Sequence, residues 1–358
     1  MSSAIDLGKF SYVALPVRAI FGAGRAAELG AELERLGVRR AMLCTTPRGP
    51  ERYRALISGL GPLAAGVFAG AEPHCPEPVV KAAIERFRAL DADGAVAIGG
   101  GSTVGLGKWI SAETGKPFVA VPTTLSGSEM TPILGVKVGA EKRTRRDPKA
   151  LARTVIYDPA LTLALPAHET ATTGMNSLAH CVEALYPAEP NPVARLIALD
   201  GIRALFEGLP ASVARPGDLA ARSRALYGGF LGGLLVQLVG IGLHHKICHV
   251  LGGKFGAPHG ETNSVMLAQV VAFNAPYMPE VMSDLRAATG GADPAAAIFD
   301  LAKRMGAPVS LEALGIDPEG LEAAARDAVA QTVSNPRPLD AAGVHALLRE
   351  AWHGRRPS

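Results

Sequence analysis

The chain has 358 residues, 48% hydrophobic and 19% charged, a balance that suits a globular protein with room for two domains and excludes a disordered or fibrous chain. Its 36 Lys and Arg against 33 Asp and Glu leave a formal charge of +3, spread along the sequence with no basic arm of the kind that grips nucleic acid. Cys44, Cys75, Cys181 and Cys248 are scattered without a CxxC pair, which argues against a disulfide framework or a thiolate zinc site and fits a reducing cytoplasm.

The opening MSSAIDLGKFSYVALPVRAI lacks a basic start, an apolar core and a small-residue cleavage site, so export is not expected. From about residue 18 to 159, short apolar or β-branched runs alternate with amphipathic stretches, the pattern of a parallel sheet wrapped by helices. AAELGAELERLG has apolar positions at helical spacing and stops at Gly37, RRAMLCTT reads as a strand, and PVVKAAIERFRAL reads as a helix. GAVAIGGG and KPFVAVPTT read as buried strands running straight into loops. Beyond about Leu161 the chain turns to long Ala-, Leu- and Glu-rich segments with few β-branched runs. The expected fold is an α/β nucleotide-binding domain with a parallel sheet over residues 1–160, then an all-helical domain over 161–358. Residues 227–243, the most apolar stretch, are broken by six glycines and carry Gln237. They read as a buried helix rather than a membrane anchor, and as a candidate contact of a homodimer.

AVAIGGGSTVGLGKWI reads as a strand, three glycines and a helix beginning near Ser102, a geometry in which backbone N–H groups and a helix N-terminus cradle a phosphate. Without Cβ atoms at Gly99, Gly100 and Gly101, a pyrophosphate can approach the backbone closely. A ligand-free tight turn is the plain alternative. The next strand, however, ends in VPTTLSGSEMTP, a second loop leaving the same sheet edge, where Thr123, Thr124, Ser126 and Ser128 can donate to a nicotinamide ribose or amide. Glu129 reads as a paired buried carboxylate. The GxGxxG fingerprint with its later acid is absent, so a variant nucleotide site is expected. After the early strand, CTTPRG offers Thr45 and Thr46 and no carboxylate to repel a 2′-phosphate, which admits both NADH and NADPH.

Five of the nine histidines fall in TGMNSLAHCVEALY and GLHHKICHVLGGKFGAPHG. Asn176 and His180 are four apart, as are His245 and His249, so each pair shares a helical face, and His259 follows a Gly/Pro loop. A single such histidine is more often bonded to a carbonyl in a core. This density of ligating and titratable groups points instead to an active site.

The blocks GGGSTVGLGK, VPTTLSGSE, GMNSLAHCVEALY and HHKICHVLGGKFGAPHGE occur in the order and spacing of the iron-containing alcohol dehydrogenase superfamily, which the chain resembles over nearly its whole length. The resemblance implies the dehydroquinate synthase-like fold of that superfamily. It places Asn176, His180, His245 and His259 where the family holds a divalent metal with one Asp and three His, and makes His249 a further active-site histidine near the nicotinamide. An amide oxygen offers a cation a dipole where a carboxylate offers full charge, so Asn176 should weaken metal binding strongly. Gly105 likewise stands where metal-dependent members usually carry Asp. These departures, the HHK pair and the PTTLSGSE wording are similar to the maleylacetate reductase branch, regarded as working without the metal.

That resemblance implies NADH- or NADPH-dependent, metal-free reduction of the conjugated double bond of maleylacetate to 3-oxoadipate, a small-molecule reaction needing neither nucleic acid nor membrane. His180, His245 and His259 would line the vacated metal pocket beside Asn176, one of them donating to the developing enolate, while His249 delivers a proton to carbon. Lys246 and His244 are lesser candidates for holding a carboxylate, since both point off the face of His245 and His249. The alternatives are a metal-dependent alcohol or aldehyde dehydrogenase that tolerates Asn176 as a ligand, and an inactive ligand-binding member.

Overall fold

The computed structural model describes residues 10–139, 141–332 and 334–358, so part of the opening segment read for a leader lies outside the described residues. Two compact units are present: Leu15–Leu165, and Pro166–Ser358 joined by the described residues up to Ala14. Asn191 anchors that N-terminal stretch by donating from Nδ2 to the Ser11 carbonyl at 2.9 Å.

The first unit carries β1 (Arg18–Phe21), α1 (Leu29–Arg35), β2 (Ala41–Cys44), two short helices α2 (Gly49–Arg52) and α3 (Arg54–Gly59), and β3 (Ala64–Phe68). There follow α4 (Glu77–Ala89), β4 (Gly94–Gly99), α5 (Gly101–Thr114), β5 (Phe118–Pro122), a hairpin of β6 (Ile133–Val138) and β7 (Glu141–Arg146), and β8 (Thr154–Tyr157). Six strands form one parallel sheet in the order β1-β8-β5-β4-β2-β3. Leu43, Val96, Ile98, Val119, Val121 and Ile156 are buried on it against Leu29 and Leu33 of α1, each such side chain contributing about 1.5–3 kcal/mol by leaving water. The chain runs from β2 outward to β3, then returns to β4 and continues to β5. The strand order therefore reverses between β2 and β4, the position at which open α/β sheets bind ligands at their carboxyl edge.

The second unit is helical: α6 (Ala167–Glu183), α7 (Pro192–Ala214), α8 (Leu219–Val239), α9 (Leu243–Phe255), α10 (His259–Asn274), α11 (Pro279–Thr289), α12 (Pro294–Arg304), α13 (Leu321–Gln331) and α14 (Ala341–His353). Asn191, Asp218, Asp293 and Asp340 accept backbone N–H bonds at the starts of α7, α8, α12 and α14, satisfying donors that the first turn leaves open. The glycines of the apolar stretch have a use inside the chain. A Cβ on Gly228 would stand 2.5 Å from Cγ of Leu205 on α7, and one on Gly232 would stand 2.9 Å from the Ser177 carbonyl oxygen on α6. Among the described residues no single helix is long and apolar enough to cross a membrane.

Candidate active site

In the helical unit, α6, α9 and the first residue of α10 bring His180, His245, His249 and His259 together. The rings of His180 and His245 stack at 4.6 Å, those of His249 and His259 at 5.7 Å, and His245 lies 6.4 Å from His249 and 6.3 Å from His259. Asn176 joins them, its Oδ1 3.4 Å from Nε2 of His245. The i, i+4 spacings thus converge as helical geometry requires. His245 is buried, His259 is half-buried and His249 is exposed, so the cluster has a dry floor and a wet rim. Burial pulls the imidazoles of His180 and His245 well below the ordinary histidine value, and neighbouring rings add to the shift. Nδ1 of His180 is buried without a partner, the kind of atom that a bound polar substrate satisfies.

Glu183 escaped the sequence reading, although its position three residues after His180 places it on a neighbouring part of the same helix. Its Oε2 lies 2.6 Å from Nδ1 of His245, and its Oε1 accepts the His244 N–H at 2.8 Å, at the start of α9. That helix has no capping side chain of its own. A buried carboxylate is tolerated here because the N-terminal N–H groups of α9 and an imidazole face it, while burial still pushes its pKa upward. Gly242 makes room for it, since a Cβ there would stand 2.9 Å from Oε1.

His244 does not join the ring cluster's open side. It is fully buried, with Nε2 3.3 Å from the Asn263 carbonyl oxygen and Nδ1 3.3 Å from Nδ1 of His245. Lys246 lines a separate cavity of about 180 Å³ with Tyr186, Thr332 and Ser334, and with Glu183 at its wall.

The donor set would hold a divalent metal more weakly than the family's Asp and three His. The four positions of the resemblance supply three imidazoles and one amide, with no anionic ligand among them. Among the described residues, the His, Cys, Asp and Glu side chains whose ligand atoms lie within 4.8 Å of one another are Glu183, His244 and His245, and these already face one another.

In the α/β unit, Gly99, Gly100, Gly101 and Ser102 form the β4–α5 junction. Gly99 has φ 148°, a conformation few other residues adopt. Gly100 caps α5 without a side-chain bond and its carbonyl takes the N–H groups of Thr103 and Val104, so the N–H groups of Gly101 and Ser102 are the ones placed to meet a ligand. The second loop meets this one: Thr123 N donates to the Gly99 carbonyl at 3.0 Å, a Cβ on Gly100 would stand 2.9 Å from Cγ2 of Thr124, and one on Gly101 would stand 3.9 Å from Oγ of Ser126. The hydroxyls of Thr124 and Thr45 are buried without a partner, and Thr46 is exposed beside Thr45 at the end of β2. Open helix donors, a glycine cradle and orphaned hydroxyls at the strand-order reversal fit the pyrophosphate and ribose of a dinucleotide.

Lys108 and Glu129 support that loop from behind. Buried Lys108 donates to the carbonyls of Ser128 and Ile133 at 2.6 and 2.7 Å and to Oγ1 of Thr131 at 3.1 Å, tying α5 to the loop. Burial pulls its ammonium down to about 7. Glu129 accepts a 2.8 Å bond from the Tyr157 hydroxyl, and burial raises its carboxyl.

Residues 16–159 match the family described as iron-containing alcohol dehydrogenase, and residues 170–352 match the Fe-containing alcohol dehydrogenase family, C-terminal. The chain is 45% identical over 352 residues to the maleylacetate reductase of Burkholderia cepacia, covering 98% of this chain and 100% of that one. The crystal structure of maleylacetate reductase from Rhizobium sp. strain MTP-10005 superposes with a TM-score of 0.94 at 44% identity, covering 98% and 100% of the two chains. A sulfoacetaldehyde reductase from Bifidobacterium kashiwanohense, solved in complex with NAD+, has a TM-score of 0.88 at 25% identity, covering 96% and 99%.

Proposed function

Since the chain belongs to the iron-containing alcohol dehydrogenase family, we propose that it acts as a maleylacetate reductase, reducing the conjugated carbon–carbon double bond of maleylacetate to give 3-oxoadipate at the expense of NADH or NADPH. The observation that carries the reading is the packing of His180, His245, His249 and His259 around an amide, Asn176, instead of an acid.

When bound, the nicotinamide supplies a hydride to the double-bond carbon distal to the ketone. The N–H groups at the start of α5 would hold the pyrophosphate, and Thr123, Thr124 and Ser126 would hold the ribose and amide. Charge then develops on the ketone oxygen. An N–H of His180, His245 or His259 meets it, a stabilisation that pre-oriented donors in a water-poor site provide without reorganising. Glu183 fixes the ring of His245 from behind. His249, on the wet rim, gives its proton to the carbon next to the ketone and regains one from water. Asn176, an amide where the family carries Asp, weakens the site for a divalent cation and so supports a reaction that proceeds without one.

The test is oxidation of NADH and of NADPH by freshly generated maleylacetate, on EDTA-treated protein, beside a panel of simple aldehydes and ketones. Rapid turnover of maleylacetate alone supports the reading. Turnover of aldehydes that requires added iron or zinc sinks it in favour of a metal-dependent alcohol dehydrogenase.

A further inference from the structure

Three residues other than glycine have a positive φ among the described residues, and two of them are consecutive: His74 at 63° and Cys75 at 49°. Such residues are uncommon outside glycine and persist only where their surroundings hold them, most often beside functional sites. What holds this pair is the start of α5. The Cys75 thiol donates to the Ser102 carbonyl at 3.3 Å, in the first turn of the helix. The same sulfur fills the space over Gly105, where an added Cβ would stand 2.4 Å from Sγ. On its other side Cys75 accepts the Lys137 N–H at 3.3 Å, and Pro76 bridges to Lys137 on β6.

The first turn of α5 has no side-chain cap of its own, so the direction of its open N–H groups depends on neighbours. Cys75 bonds a carbonyl within that turn and presses on the next one. We infer that the strained His74–Cys75 turn is a positioning element for the cofactor's pyrophosphate, with Cys75 and Gly105 acting as one unit: the left-handed backbone delivers the thiol, and the missing Cβ at 105 receives it. Gly105 is then required by the sulfur above it, and the pair must change together. This rests on the proposal that the β4–α5 loop binds NADH or NADPH.

The experiment is a double-substitution cycle of wild type, Cys75→Ala, Gly105→Ala and the double variant, read by fluorescence titration with NADH and NADPH and by melting temperature. Gly105→Ala should weaken binding about tenfold or more, because the new methyl displaces the sulfur and with it the helix start. Cys75→Ala should weaken it a few-fold, as loss of one hydrogen bond does. In the double variant the two Cβ atoms lie at the ordinary contact distance of 3.9 Å, so most of the affinity lost in Gly105→Ala should return.

A Cys75→Ala protein that binds both nucleotides as tightly as wild type overturns the inference, as does a double variant no better than Gly105→Ala. Shifted melting temperatures with unchanged nucleotide affinities would mark the turn as structural only, and also overturn it. Should Gly105→Ala fail to fold, Cys75→Ala, which only removes atoms, still decides. Wild-type protein that binds neither nucleotide defeats the cofactor reading itself, a result distinct from normal wild-type binding with no effect of Cys75→Ala.

Discussion

The Glu183 carboxylate lies 2.6 Å from Nδ1 of His245 and 2.8 Å from the backbone nitrogen of His244, so one buried acid caps α9 and fixes a ring of the histidine cluster. Glu183→Gln keeps an oxygen for the helix but loses the charge that orients the ring. Its kcat should fall about 10- to 100-fold, the usual cost of removing a partner that orients an active-site imidazole, with nucleotide affinity nearly unchanged. Glu183→Ala leaves buried N–H groups unmatched and should lose about 3–5 kcal/mol in denaturant melts. A kcat untouched in the Gln variant would reduce Glu183 to a cap.

Asn176→Asp places a full negative charge beside His245 and within the ring cluster. Affinity for zinc or iron should rise sharply, measured as metal retained after dialysis and by calorimetric titration. If the variant retains no more metal than wild type, the missing carboxylate is not what disfavours the ion.

His249→Ala should cut kcat about 10²- to 10⁴-fold, the range for losing a general acid, while the dissociation constant for NADH changes little. The separation is measured by steady-state kinetics alongside nucleotide titration. Normal turnover would remove His249 from the mechanism.

The two buried rings should weaken the fold in mild acid. Burial holds His180 and His245 well below the ordinary value of 6.5, so below that pH the unfolded chain binds protons that the native chain refuses. Stability therefore rises with pH through this region and is lost as pH drops below 6.5 toward the folded values. At one unit below, each ring costs up to about 1.4 kcal/mol. Burial raises the Glu183 and Glu129 carboxyls, which opposes this slope, so the ring's share is read by comparing melting temperatures at about pH 5.5 and about pH 7.5 in wild type and in His180→Asn: the acid loss should be smaller in the variant, and an equal loss would mean that the His180 ring takes up a proton freely in the folded state.

Strands β2, β4 and β5 and the faces of α6 and α9 are legible in the sequence because each is a local pattern: apolar runs opening into loops, or polar groups four apart. The β6–β7 hairpin is not, since EKRTRR offers no apolar alternation and draws its pairing from the neighbouring strand. Nor is the partnership of Glu183 with His245, separated by 62 residues of chain, or the contact between Cys75 and Gly105, which exists only once β3 and β4 lie on either side of β2. Lys246, whose helical position points off the face of His245 and His249, lines a cavity with Tyr186, Thr332 and Ser334.

In the proposed reaction the two new hydrogens of the product have different origins, the second drawn from the wet rim of the histidine cluster. One travels with the nicotinamide, whereas the other enters through His249, which is on the exposed side. Run briefly in heavy water with unlabelled cofactor, the reaction should place a single deuterium on the former double-bond carbon beside the ketone and none on the former double-bond carbon beyond it, the methylene between ketone and carboxylate being left out of the count because it exchanges by itself. Because that rim lies on one side of the cluster, the label should occupy one prochiral position, a handedness that the symmetrical-looking product would otherwise conceal.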